Sequence, residues 1–123
     1  MDISNEILGL VSEIHDSLRA RGESLSTAES LTAGGLGYAL TIVPGASDVF
    51  LGTITAYRPE VKISHLKVEE GTIAQHSVVS EEVAIQMGSG ANKSFGSTWA
   101  IATTGVAGPG PADGSEAGKV FVA

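Results

Sequence analysis

The sequence predicts an α/β fold: a layered α/β/α sandwich around a mixed sheet, built as one domain over residues 1–123 and shortened at its C-terminal end. Three observations lead there. Segments with apolar residues at helical spacing alternate with short β-prone runs, an order that stacks helices on a sheet. Glycine, proline and serine are spread between these segments, with no internal repeat and no linker to divide the chain. A chain of 123 residues, 42% hydrophobic, is long enough to bury a single core.

The elements follow in order. Ser4 suits an N-cap, and Ile7, Val11, Ile14 and Leu18 keep helical spacing up to Gly22, so a helix is expected over about 5–21. Leu25-Ser26-Thr27-Ala28 reads as a short strand that turns through Glu29-Ser30-Leu31-Thr32-Ala33-Gly34-Gly35 into a helix from Leu36 to Val43, stopped by Pro44-Gly45. Phe50 to Tyr57 is rich in strand formers, and Arg58-Pro59 ends it and opens a short helix through about Leu66. Ser80 caps a helix beginning Glu81-Glu82, with Val83, Ala84, Met87 and Ala91 on one face. Thr98 to Thr104 is a buried strand running into a glycine- and proline-rich loop, and Gly118 to Ala123 begins another.

Composition excludes several functions. The net charge of −7 leaves no basic stripe for nucleic acid. A small anionic ligand stays open, because N–H groups at a helix start can hold one without cationic side chains. Without cysteine there is neither disulfide nor thiol catalysis. The acidic N-terminus is no signal peptide and no run reaches the length of a membrane span, so a cytoplasmic protein is expected.

The turn at Glu29 to Gly35 carries the chemistry. A serine at a strand-to-helix junction is a nucleophile if a base takes its proton, and helix N–H groups beside it would stabilise an oxyanion. Taken alone, the same serine is more readily a plain helix cap, since capping serines are common. Candidate bases are few. His15, His65 and His76 have no orienting carboxylate pattern and no metal-ligand spacing, and read as surface or cap residues. Lys62 lies five residues beyond Tyr57, where a short helix can turn its amine toward the sheet; burial would make it a base. Two other matches fail. Ser64-His65-Leu66-Lys67 fits Ser-x-x-Lys without its companion motifs, and Gly114 to Lys119 is one residue short of a P-loop.

Taken together, Thr27 to Gly35, Pro44-Gly45-Ala46-Ser47, Ala56-Tyr57 with Lys62, Val79-Ser80-Glu81-Glu82 and Thr104 to Pro109 resemble, in the same order, the C-terminal domain of the CinA (competence/damage-inducible) family. That family includes nicotinamide mononucleotide deamidases, which release ammonia from the carboxamide. The resemblance implies Ser30 as nucleophile, Lys62 as its base and Tyr57 as a supporting catalytic residue. It further implies Glu29, Thr32, Gly34, Gly35, Thr104 and Gly105 as substrate-binding or loop-orienting residues, with no metal and no cofactor. The family's domain continues through another strand and a long helix beyond the position of Ala123. The expected partner is a small-molecule nucleotide, with neither nucleic acid nor membrane, and the last strand's open edge predicts self-association into a homo-oligomer. The alternative is a non-catalytic nucleotide-binding or interaction module of the same family.

Overall fold

In the computed structural model, which describes residues 1–123, the strand with the smallest and most polar side chains lies at the centre of the sheet. This strand, Leu25–Glu29 (β1), is buried along its whole length. It pairs in parallel with Phe50–Thr55 (β2) on one side and Trp99–Gly105 (β3) on the other. Val120–Val122 (β4) adds to β3 in antiparallel register, Thr104 opposite Phe121, so the sheet is mixed with the order β2-β1-β3-β4. Five helices cover it: Asn5–Arg21 (α1), Gly35–Thr41 (α2), Pro59–Leu66 (α3), Glu70–His76 (α4) and Glu81–Phe95 (α5). None is long and apolar enough to cross a membrane.

Side chains of a strand alternate between faces, and that alternation divides the core in two. Leu25 packs with Val11, Leu18, Leu40 and Val49 on the face covered by α1 and α2. Ala28 and Ala102 point the other way, into Leu66, Val68, Val83, Met87 and Ala91 beneath α3 and α5. This is the expected α/β/α sandwich. Ser4 Oγ caps α1 by accepting from the Ile7 N–H, and Ser80 Oγ caps α5 by accepting from the Val83 N–H.

Several local expectations need correction. α2 runs from Gly35 to Thr41 rather than Leu36 to Val43, and β2 stops at Thr55. The carbonyls of Ala56 and Tyr57 leave the ladder because they accept from the Lys62 ammonium. α4 and a 3-10 turn at Ala46–Asp48 were not foreseen: neither has a side-chain cap to announce it. His76 ends α4 instead of lying in a loop. The buried stripe of α1 is Val11, His15 and Leu18, whereas Ile7 and Ile14 are exposed. His15 is therefore a core residue, not a surface one, and both its ring nitrogens lack a hydrogen-bond partner.

α3 is held against the sheet by a close approach to α5. A Cβ on Gly90 would overlap the carbonyl of Leu66, the last residue of α3, so the two backbones meet where no side chain fits. Overpacking a dry contact typically costs about 1–3 kcal/mol. Gly90→Ala is expected to lower unfolding stability by about 3 kcal/mol and to unseat α3, measured by thermal or denaturant melts. A melt matching the parent chain would show that α3 is not anchored there.

Candidate active site

Ser30 and Lys62 come together at the C-terminal end of two adjacent parallel strands. Ser30 follows Glu29 at the end of β1, and alternation turns it toward α3. Lys62 sits one turn into α3, where Pro59 at the first helical position starts the helix just after β2. The lysine is 1% exposed, and its Nζ donates to Ser30 Oγ at 2.8 Å, to the Ala56 carbonyl at 2.7 Å and to the Tyr57 carbonyl at 2.9 Å. All three ammonium protons are thus placed. Burial lowers the pKa of Lys62 to about 8, against an opposing pull from the negative charge of Asp113. Near neutrality a useful fraction of the amine is free to accept the serine proton.

Glu29 points to the other face. Its carboxylate is fully buried and accepts from the Leu36 N–H (2.9 Å), the Gly37 N–H (2.8 Å), and the hydroxyls of Thr32 (2.7 Å), Thr27 (3.1 Å) and Thr53 (3.1 Å). Burial alone would raise its pKa, but the hydrogen bonds from Thr32, Leu36, Gly37 and Thr53 outweigh it and hold the carboxyl below its usual value. The first N–H groups of α2 are therefore spent on Glu29. The expectation that they face an oxyanion beside Ser30 is not met.

A cavity of about 310 Å³ opens over Ser30 and Lys62, and Tyr57, Thr104 and Gly105 also line it. Glu29, Thr32, Gly34 and Gly35 do not: they form the turn behind Ser30. Tyr57 is 68% exposed and meets the pair through its carbonyl, which accepts from Lys62. Thr104 spends its hydroxyl on the Val78 carbonyl at 3.0 Å. A Cβ on Gly105 would crowd the Lys119 carbonyl, so the bare backbone admits β4.

Two residues escaped the sequence reading. Thr103 lies on the Glu29 face, its Oγ1 2.9 Å from Thr32 Oγ1, and ties the turn to β3. Asp113 reaches the cavity from the loop after β3. Its signal was present: Asp-Gly is the favoured centre of a tight hairpin turn, and Asp113 (φ 51°) and Gly114 (φ 75°) both adopt positive φ between the mutually bonded Ala112 and Ser115.

Replacing Glu29 by Gln keeps the shape but turns an amide donor toward donors. The expected loss at neutral pH is about 2 kcal/mol or more. Because the folded carboxyl titrates below 4.5, its stabilisation is complete above that value and is lost as pH falls through the lower folded value. Glu29→Gln should therefore flatten the acid limb of the stability curve. Unfolding titrations at neutral and acid pH test this; identical curves for the two chains would refute it.

Comparison with known proteins finds relatives along most of the chain. The CinA-like protein of Rippkaea orientalis is 46% identical over 114 residues, covering 92% of this chain and 27% of the relative. That of Picosynechococcus is 51% identical over 96 residues, covering 78% and 23%. The chain thus spans about a quarter of the length of these relatives. The crystal structure of competence damage-inducible protein A from Klebsiella pneumoniae superposes with a TM-score of 0.91 at 38% identity, over 94% of this chain and 73% of that one. The competence/damage inducible protein CihA from Agrobacterium tumefaciens gives 0.93 at 32%, over 99% and 75%. Residues 8–123 match the model of the CinA C-terminal domain, and with relatives this similar in sequence and backbone the chain belongs to that family.

Proposed function

We propose that the chain is a Ser/Lys amidohydrolase of the nicotinamide mononucleotide deamidase type, converting nicotinamide mononucleotide and water to nicotinate mononucleotide and ammonia in the cytoplasm. One observation carries the reading: a fully buried lysine whose amine is 2.8 Å from a serine hydroxyl at the floor of a ligand-sized cavity. A lysine that merely braced the fold would not need its charge weakened by burial or a hydroxyl aimed into solvent-accessible space.

In the proposed reaction Ser30 Oγ attacks the carboxamide carbon while neutral Lys62 takes the hydroxyl proton. The tetrahedral intermediate collapses as the Lys62 ammonium protonates the departing nitrogen, and ammonia leaves. Lys62, neutral again, then draws a proton from water, which attacks the acyl-serine; the second tetrahedral intermediate collapses as the Lys62 ammonium returns that proton to Ser30 Oγ, freeing the acid product and restoring both residues. The Leu31 N–H, adjacent in sequence to the nucleophile and at the cavity, donates no hydrogen bond within the protein and is a backbone donor available to the oxyanion.

Ammonia release from nicotinamide mononucleotide is the test. Ser30→Ala and Lys62→Ala should each lower turnover by at least about a thousandfold, with the double variant scarcely worse than either, because the two act as one unit. Turnover should rise with pH as Lys62 loses its proton near pH 8. It should also survive chelation and desalting. Binding of the nucleotide without ammonia release would favour a non-catalytic module, and full activity in Lys62→Ala would remove the lysine from the mechanism.

A further inference from the structure

Of the charges around the cavity, one is left without a partner. Arg58 on the rim already faces Glu60, with Nε 2.7 Å from the carboxylate. Glu29 is saturated on the opposite face of the sheet. Lys62 has spent its protons on Ser30 and two carbonyls. Asp113 remains: it is the one acidic side chain lining the cavity, and its carboxylate forms neither a hydrogen bond nor a salt bridge. Its position is nonetheless built. The turn Ala112 to Ser115 is closed by bonds in both directions (3.0 and 2.9 Å), and the Ser77 hydroxyl donates to the Asp113 carbonyl at 2.8 Å.

We infer that Asp113 is a substrate-recognising residue that holds a cationic ring against the Ser30–Lys62 pair. The inference rests on the amidohydrolase reading for its ligand, a carboxamide on a positively charged nitrogen heterocycle, but its charge argument stands on the cavity itself. A protonated Lys62 would repel such a ring from the position where its carboxamide meets Ser30, and a carboxylate across the cavity offsets that repulsion. When Lys62 is neutral and ready to act as base, Arg58 is still matched by Glu60 and Asp113 is the one charge at the cavity without a partner, which favours a cation over a neutral ring of the same shape. The carboxylate and the lysine also act on one another. A ring cation that neutralises Asp113 withdraws the charge that keeps Lys62 protonated, so occupancy of the site promotes the basic form of the lysine.

The probe pair is nicotinamide mononucleotide and its dihydro form, which share the phosphate, ribose and carboxamide and differ in the ring charge. Binding is measured by titration calorimetry on Ser30→Ala, which prevents turnover, and on Ser30→Ala/Asp113→Asn. Asparagine tolerates the positive φ of this position, so the turn is retained. The expected result is a preference of about fivefold for the cationic ring that disappears with Asp113→Asn, while affinity for the neutral ring is unchanged. Equal affinity for both rings in Ser30→Ala, a preference that survives Asp113→Asn, or no binding of either ligand would overturn the assignment. Ammonia release by the unsubstituted chain reports separately on the amidohydrolase reading. Discrimination by Asp113 without hydrolysis would leave the cation site standing and remove the reaction.

Discussion

The site depends on the burial of one lysine. An ammonium taken out of water is costly unless each proton finds an acceptor, and the structure around Lys62 is arranged to provide them. β2 ends early so that the Ala56 and Tyr57 carbonyls can turn inward, and Ser30 supplies the third oxygen. Pro59 starts α3 close enough to the strand end for the side chain to reach all three. Gly90 lets α5 press α3 down upon them. Changing the lysine's depth would alter both its hydrogen bonds and its basicity, so packing and chemistry are set by the same contacts.

At the end of β1 two adjacent residues divide the work by pointing to opposite faces. Glu29 gathers five donors from β1, β2, the following turn and α2, and so fixes the backbone on which Ser30 stands. The Ser30 N–H joins that network by donating to Thr103 Oγ1, while its hydroxyl is left to the lysine side. The close packing of α2 serves this division. A Cβ on Gly37 would meet Thr53 and the Glu29 carboxylate at 3.0–3.3 Å, so a larger residue would push the helix off its anion. The arrangement inverts the usual use of a helix N-terminus: its positive end holds an internal carboxylate, and a ligand must be met by other donors.

Much of this was legible in the sequence because local rules and packing agree. Ser4, Gly22, Ser80 and Pro59 mark helix ends by backbone chemistry that hardly depends on the rest of the fold. The Ser30–Lys62 pairing was readable only through the family resemblance, since nothing local says that a helical lysine will be buried. His15 shows the limit of periodicity. Choosing Ile14 over it assumes that the more apolar residue faces inward, yet the tertiary contact rotated the stripe by one position and buried a histidine without partners. The resemblance implied Thr32, Gly34 and Gly35 at the ligand, and the tight turn carries them behind Ser30, off the cavity lining. Asp113 was missed because it is distant in sequence and brought to the cavity by a hairpin turn.

The weakened lysine also sets how stability and function oppose one another. Below about pH 8 Lys62 is protonated both folded and unfolded, and the fold bears the full cost of enclosing the charge. Between about 8 and the ordinary value of 10.5 the unfolded chain holds a proton that the folded one has released, so this residue makes stability rise with pH. Glu29, whose folded pKa is also lowered, makes stability rise with pH in the acid range instead, stabilising throughout the neutral range and failing only in acid. The two buried charges are thus not equivalent. Glu29 meets five donors, and the ionised state that those bonds favour is the state that stabilises the fold. Lys62 is held where its charged form is disfavoured, which is a cost to folding and the condition for accepting a proton. A fully compensated lysine in the same place would make a firmer domain and a poorer base.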